Sequence, residues 1–245
     1  MRTTARGRRD RRRALATLLA SAVLLAACAG ESSAEPSGPT LPPDVDAILS
    51  ASAVAMGDVT SVRFDLARSG QRVYIDQFDK IALDRVVGEF AVPQSAQAVL
   101  DVEVNDSLKT QLAAIALGDE VWLSNPITGT YETLPEGYDI DPSKFFDPEN
   151  GWRPLLANLA DAELVGVEDG DYHVRGTATS DQIRTITAGL VRNQDVGIEF
   201  RIDRVTGLVA SCAFTTDLGA GAIDWTLELT RYGEDFTIEP PEDLT

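Results

Sequence analysis

Residues 197–203 read GIEFRID, and residues 223–230 read IDWTLELT. In both, apolar and polar side chains alternate one for one. Ile198, Phe200 and Ile202 fall on one face of an extended chain, with Glu199 and Arg201 on the other; Ile223, Trp225 and Leu227 repeat the arrangement. A strand turns successive side chains to opposite faces, whereas a helix would scatter these residues around its axis. Such segments read as half-buried strands, each with one face that must be covered.

The same alternation predicts strands over 61–66 (SVRFDL, with Val62, Phe64 and Leu66 together), 84–92 (DRVVGEFAV, with Val86, Phe90 and Val92) and 99–105 (VLDVEVN, with Val102 and Val104). Further strands are expected over 108–117, 120–125, 171–178 and 208–217, the first two joined by the hairpin signal Gly118-Asp119. Residues 72–84 fit either a strand or a long loop, and a short edge strand is expected over 236–239.

Three places break the pattern. Residues 44–58 (DVDAILSASAVAMGD) predict a helix capped by Asp44, with Val45, Ile48, Leu49 and Ser52 on one stripe and Gly57 near its end. Residues 138–166 hold Pro142, Pro148 and Pro154 and two short helical stretches. The second is expected from about Pro148 to Ala160, or from Arg153 because Pro154 lies inside it. Ser180-Asp181-Gln182 opens a third helix, DQIRTITAGL. The sum is an α+β chain: a large, mostly antiparallel sheet with helices inserted at three points. A strongly curved sheet wrapped over those helices would cover the apolar faces, and would leave a cavity wherever the helices fail to fill it.

The amino end is built differently. Residues 1–13 carry seven arginines and one aspartate, and residues 14–27 carry no charge. A basic run, an apolar run and then small residues is the layout of a secretory signal peptide. Fourteen helical residues rise about 21 Å, short of a hydrocarbon core of about 30 Å. The run ends at Leu25-Ala26-Ala27-Cys28, which resembles the bacterial lipobox. That resemblance implies a diacylglyceryl thioether on Cys28, cleavage before it and N-acylation, hence a membrane anchor; the alternative is an uncleaved anchor or a coincidental cysteine. Residues 31–43 (ESSAEPSGPTLPP) have too little apolar surface to fold and read as a tether of at most about 45 Å. The expected division is a leader at 1–27, the lipidated cysteine and tether at 28–43, and a single domain at 44–245. The protein is then expected at the extracytoplasmic face of the cell membrane. With Cys28 consumed, Cys212 is left without a disulfide partner.

The chain has 21 basic and 39 acidic residues; residues 1–27 hold seven and one of these, so residues 28–245 hold 14 and 38, a net charge of −24. Nucleic acid requires basic surface, so it is excluded as a partner. Broad adsorption to anionic headgroups is disfavoured too, so any lipid should be held by its tails. No G-x-S-x-G elbow accompanies the single histidine, His173, and no Cys/His cluster has zinc spacing. Asp139, Asp141, Asp147 and Glu149 lack the spacing of a calcium loop and read as caps. An enzyme, a cofactor and a metal are therefore not expected.

Two stretches, FFDPENGWRPLLANLADAELVG (145–166) and LELTRYGEDFTIEPP (227–241), join the lipobox, the DAILSASAVAM helix and YHVRGTATSDQI (172–183). In that order they resemble the mycobacterial LppX/LprA/LprF/LprG lipoprotein family, above all its LprG-like members. Asp147-Pro148-Glu149-Asn150-Gly151 and the run Leu156 to Ala162 carry the resemblance most closely. It implies a half-open antiparallel sheet over helices, like carriers of the LolA/LolB type, with an apolar cavity for acyl chains. It also implies carriage of glycolipid or triacylglycerol in the cell envelope, often beside an efflux transporter. The alternative is a structural or interaction lipoprotein with no cargo. Residues 72–85 are more charged than their LprG-like counterpart, which would alter ligand choice if they lay at the cavity mouth. Exposing each CH₂ to water costs about 0.8 kcal/mol, so a carrier needs an apolar cleft. The candidate walls are the apolar strand faces: Val62, Phe64, Leu66, Val86, Phe90, Val102, Val104, Ile198, Phe200, Ile202, Ile223, Trp225 and Leu227.

Overall fold

In the computed structural model, which describes residues 43–76, 78–134, 141–217, 219, 221–242 and 244, the alternating runs pair into one open antiparallel sheet. Its strands are β1 (Ser61–Gly70), β2 (Val73–Tyr74), β3 (Ile81–Ala91), β4 (Ser95–Val104), β5 (Leu108–Leu117), β6 (Glu120–Ser124), β7 (Tyr131–Thr133), β8 (Ala160–Glu168), β9 (Asp171–Ala178), β10 (Val196–Asp203), β11 (Val209–Asp217) and β12 (Ala222–Thr230). Their order across the sheet is β7-β6-β5-β4-β3-β1-β12-β11-β10-β9-β8, and β2 pairs with β3 beside that path. Two meanders thus meet along β1 and β12, where Phe64 faces Leu229 and Leu66 faces Leu227.

The register keeps the apolar sets in phase. Val62, Phe64 and Leu66 lie opposite Phe90, Gly88 and Val86, and Phe214 lies opposite Trp225. Opposed residues share a face, so these side chains all point to one side, and a slip of one residue would turn them to water. Gly88 is where this face is tightest. A Cβ there would run into the Phe64 ring, and would lie 2.6 Å from the Gln97 carbonyl oxygen and 2.9 Å from Ala98 Cβ.

Helical segments cover the apolar side. The helix α1 (Val45–Gly57) starts at Asp44, whose carboxylate accepts from the Asp46 N–H at 3.3 Å, and it buries Ile48, Leu49, Ser52, Ala53 and Met56. Gly57 ends it for reasons of space: the Arg153 guanidinium lies where a side chain would be. That guanidinium donates to Asp58 at 2.9 Å, tying α1 to the next segment. There the three prolines divide the chain into a 3₁₀ turn (Pro142–Phe145), a π turn (Pro148–Trp152) and the helix α2 (Arg153–Ala157). Each proline sits in a first-turn position, where its missing N–H is not needed. Asp141 and Asp147 cap these turns, Asp141 accepting from the Ser143 N–H at 2.9 Å and Asp147 from the Asn150 N–H at 2.8 Å. The helix α3 (Ser180–Ile186) is closed by a capping box between Thr179 and Gln182.

Several expectations need correction. The stretch read as helical up to Ala160 stops at Ala157, and Ala160–Glu168 forms β8. The third helix is capped by Thr179 rather than Ser180 and ends before Thr187. Val92 is not on the inner face: β3 ends at Ala91, and Val92 is 45% exposed. Residues 236–239 form no strand. They follow β12, whose two sides are already taken by β1 and β11, and Phe236 instead packs against Arg231, whose guanidinium carbon lies 5.0 Å from the ring centre. The ambiguous stretch 72–84 is the two-residue β2, then a turn organised by Asp76, which accepts from the N–H groups of Phe78, Lys80 and Ile81 at 3.1, 2.8 and 2.6 Å. The leader, Cys28, nearly all of the tether and Asp139 lie outside the described residues.

Candidate functional site

The inner face gathers the wall positions named from the sequence. Val62, Phe64, Leu66, Val86, Phe90, Val102, Ile198, Phe200, Ile202, Ile223, Trp225 and Leu227 are all buried in one apolar cluster, and Val104, at the end of β4, is half-buried against it. The opposing layer is supplied by Ile48, Leu49 and Met56 of α1, by Trp152, Leu155 and Leu156, and by Ile183 and Ile186 of α3. Aromatic contacts join the layers: the Phe146 ring lies 5.4 Å from Phe90 and 5.7 Å from Trp152. Farther along the sheet, Phe214 stacks on Trp225 at 6.0 Å, and the Trp225 indole N–H donates to the Thr216 hydroxyl at 2.9 Å.

Polar groups inside this layer stand out. Ser52 Oγ and Trp152 Nε1 are buried without a hydrogen-bond partner among the described residues, an uncommon condition for buried polar atoms. Cys212 faces inward from β11, and burial pushes its thiol up to about 12. It therefore stays protonated and a poor nucleophile. His173 lies on β9, its Nε2 4.0 Å from Glu168. Among the described residues no group of three or more His, Cys, Asp or Glu is placed to hold a metal.

A cavity of about 600 Å³ opens at one end of the strands, between the sheet and the proline-broken segment. Val59, Phe90, Leu134 and Phe146 supply its apolar wall, and Asp141, Lys144, Asp147 and Asn150 stand around it. Phe90 is the residue by which the sequence-derived face reaches this opening. Leu134 and Phe146 were not among the residues named from sequence, because they lie in irregular chain without periodicity. Residues 72–84 lie at the other end of β3 and do not border this cavity. A hollow of about 560 Å³ lies on the opposite, outer face of β3, β4 and β5, lined by cross-strand pairs such as Arg63–Glu89 at 3.0 Å.

Two solved structures share this arrangement. LprF from Mycobacterium bovis is 17% identical, with 82% of this chain and 98% of that one covered and a TM-score of 0.62. The lipoprotein LppX from Mycobacterium tuberculosis is 16% identical, with 80% and 98% covered and a TM-score of 0.55. At such identities the likeness is one of fold. No curated protein sequence matches at a significant level. The family of LppX and LprA/F/G lipoproteins matches over residues 44–238, which takes in every strand and helix described above. This chain therefore belongs to the LppX_LprAFG lipoprotein family.

Proposed function

We propose that this lipoprotein binds the acyl chains of a lipid or glycolipid between its sheet and its helical layer and carries them within the cell envelope. The observation that carries the reading is the cavity of about 600 Å³ whose wall includes Phe90 and Phe146. It is within the size range of small-molecule sites, roughly 300–1,000 Å³. Behind Phe90 the apolar face runs unbroken through Val62, Phe64 and Leu66. The covering segment from Pro142 to Ala157 is made of single turns, so moving it breaks few backbone hydrogen bonds. An opened layer would offer Ser52 Oγ and Trp152 Nε1 as donors to an ester oxygen. Cys28, acylated, would hold the domain at the extracytoplasmic face of the membrane, where cargo is loaded and where an efflux transporter could act as partner.

The test is lipid analysis of protein gently purified from its native host. Native mass spectrometry should find an acyl lipid bound, and a fluorescent fatty-acyl probe should compete with it. Leu134→Trp, which fills the opening from a half-buried position, should weaken the probe by about tenfold, some 1.4 kcal/mol, with the melting temperature unchanged. Protein that carries no lipid and ignores the probe would sink the proposal. It would favour a second reading, an interaction lipoprotein whose inner face is filled by its own side chains, for which the close packing of the twelve buried wall positions speaks. Either way, Cys28→Ser should abolish incorporation of labelled fatty acid into the protein and leave the leader uncleaved; unchanged labelling and processing would rule out the thioether anchor.

A further inference from the structure

Among the described residues, the exposed hydrophobic side chains larger than valine are Phe78, Leu108, Ile127 and Leu244, each more than half exposed. Exposed apolar residues scattered singly are ordinary on a protein surface. These four belong to one rim of the sheet. Phe78 lies in the turn from β2 to β3, Leu108 opens β5 after the turn from β4, and Ile127 lies in the turn from β6 to β7. The turns at the 600 Å³ opening alternate with these, so all three leave the sheet on the side away from that opening. Leu244 bridges Tyr131, the first residue of β7. Because β6 and β7 are short, Ile127 and Leu244 sit at the margin of the patch and Phe78 and Leu108 at its front.

The two foremost tips are held firmly. The turn built on the buried Asp76 carboxylate turns Phe78 outward, while Ile75 beside it is buried. The Asn105 N–H donates to the Lys80 carbonyl at 2.8 Å. The Arg72 guanidinium and the Tyr74 hydroxyl both donate to Asp106, at 2.7 and 3.3 Å. The chain thus fixes in water a phenylalanine that adds little to its own core. A lysine stands by each tip: Lys80 follows Phe78 by two residues, Lys109 adjoins Leu108, and both are exposed. They are two of the three lysines in the sequence. An apolar side chain beside a long cationic one suits a membrane interface, where the first enters and the ammonium stays among head groups. Arg72 is also paired with Glu103 at 2.7 Å, and Lys109 lies 3.7 Å from Asp84, so the charges of this rim are largely matched within it.

The chain also enters the domain from this side. Asp46 and Leu49, in the first half of α1, line a cleft with Ala157 and Leu159. Leu159 packs against Gly176 of β9, beside the Ala160–Thr177 pair that begins β8. That pair belongs to the same rim, which continues through Val196, Asp217 and Gly70. The later part of α1 lies at the opposite rim, where a Cβ on Gly207 would touch Ala55. The 13 residues before α1, at most about 45 Å long, therefore lead from the rim of Phe78 back to Cys28.

We propose that this rim is a second membrane contact, which docks on the bilayer by inserting Phe78 and Leu108 among the head groups. It rests on the reading of Cys28 as an acylated anchor. The tether makes docking intramolecular, so a weak contact suffices because the local concentration of bilayer is high. Insertion is driven by apolar area rather than by charge, which agrees with a strongly acidic chain whose rim charges are paired. Docked this way, the 600 Å³ opening faces away from the bilayer and stays free to exchange cargo.

The experiment places an environment-sensitive nitrobenzoxadiazole label on Ser107→Cys, in the exposed turn beside Leu108. Cys212 is buried and its thiol is pushed up to about 12, so it stays unlabelled. The full acylated protein is reconstituted in phosphatidylcholine vesicles that carry a spin-labelled phospholipid as quencher. The label on Ser107→Cys should be quenched. The same label on Val205→Cys, 93% exposed in the turn from β10 to β11 at the opposite rim, should not. Added salt should leave both results unchanged. Adding Phe78→Ser should lower the ratio of docked to undocked protein by about tenfold, as for one large apolar side chain kept in water. Adding Leu108→Ser as well should abolish quenching. Both positions are exposed, so circular dichroism and acyl-probe affinity should match the parent. Acylated protein whose Ser107→Cys label stays in water would overturn the docking rim and leave the lipid-binding reading standing. Quenching at Val205→Cys instead would assign the contact to the opposite rim. A label shifted to the blue without lipid quenching, and only at high protein concentration, would assign the patch to a second copy of the chain. Protein that incorporates no labelled fatty acid would overturn the anchor and the docking together.

Discussion

Replacing Phe146 by alanine is expected to release the Pro142–Ala157 segment from the sheet while the strands stay paired. Phe146 is fully buried and touches Phe90 on the sheet side and Trp152 on the segment's own side. Truncating a buried phenylalanine costs about 3–5 kcal/mol, and each aromatic pair lost adds roughly 0.5–1.5 kcal/mol. The Asp141 and Asp147 caps bond only within the segment, so what then holds it is the burial of Trp152, Leu155 and Leu156 and the Arg153–Asp58 pair at its far end. Regions with few anchoring contacts open below the global unfolding free energy. Amide hydrogen exchange followed by mass spectrometry should therefore show residues 141–157 exchanging much faster, with β1, β3 and β12 still protected. A uniform loss of protection over the whole sheet would mean that the segment is not an independent cover. If the cover gates the acyl site, the variant should also take up the acyl probe faster.

Gly88→Ala is expected to be the most damaging single methyl group in the sheet. The position has no unusual backbone angle, so the cost is one of space. The Phe64 ring crosses directly over Gly88, and the Gln97 carbonyl and Ala98 Cβ close the remaining sides. A side chain tip can shift, but the Gln97 oxygen belongs to the β3–β4 ladder and cannot. Overpacking of a core costs typically 1–3 kcal/mol, occasionally more, and about 3 kcal/mol or above is expected here, read as a lower urea midpoint. Adding Phe64→Leu should restore part of the loss by clearing the ring. An alanine variant within about 0.5 kcal/mol of the parent, the ordinary range of a surface change, would show that β3 moves away from β1 freely.

How far the sequence reached depended on periodicity. The strands with a clean inner set, such as Ile198, Phe200 and Ile202, were legible because one face alone is buried. The strand β8 was not. It is an edge with two register irregularities; its burial alternates, with Ala162, Leu164 and Gly166 half-buried, but Val165 and Val167 fall on the exposed side, so the hydrophobicity of the sequence does not follow the alternation. The LLANLADA run before it carries helical spacing that ends at Ala157 in the folded chain. The apolar face was legible as a set. Its opening was not, because Leu134 and Phe146 are placed by irregular chain that no alternation describes.

The seam between β1 and β12 has a consequence in time. These strands are the first and last of the described fold, yet they lie side by side in the middle of the sheet. In a chain that folds from its amino end, β1 to β7 can pair among themselves early, but the side of β1 that awaits β12 stays open until residues 222–230 arrive. Pairings so distant along the chain form slowly, and an unpaired strand edge is a template for association with other chains. A nascent polypeptide of this architecture thus passes its most vulnerable interval with its centre, rather than its periphery, unfinished. Any folding escort would be needed there until the final strand docks.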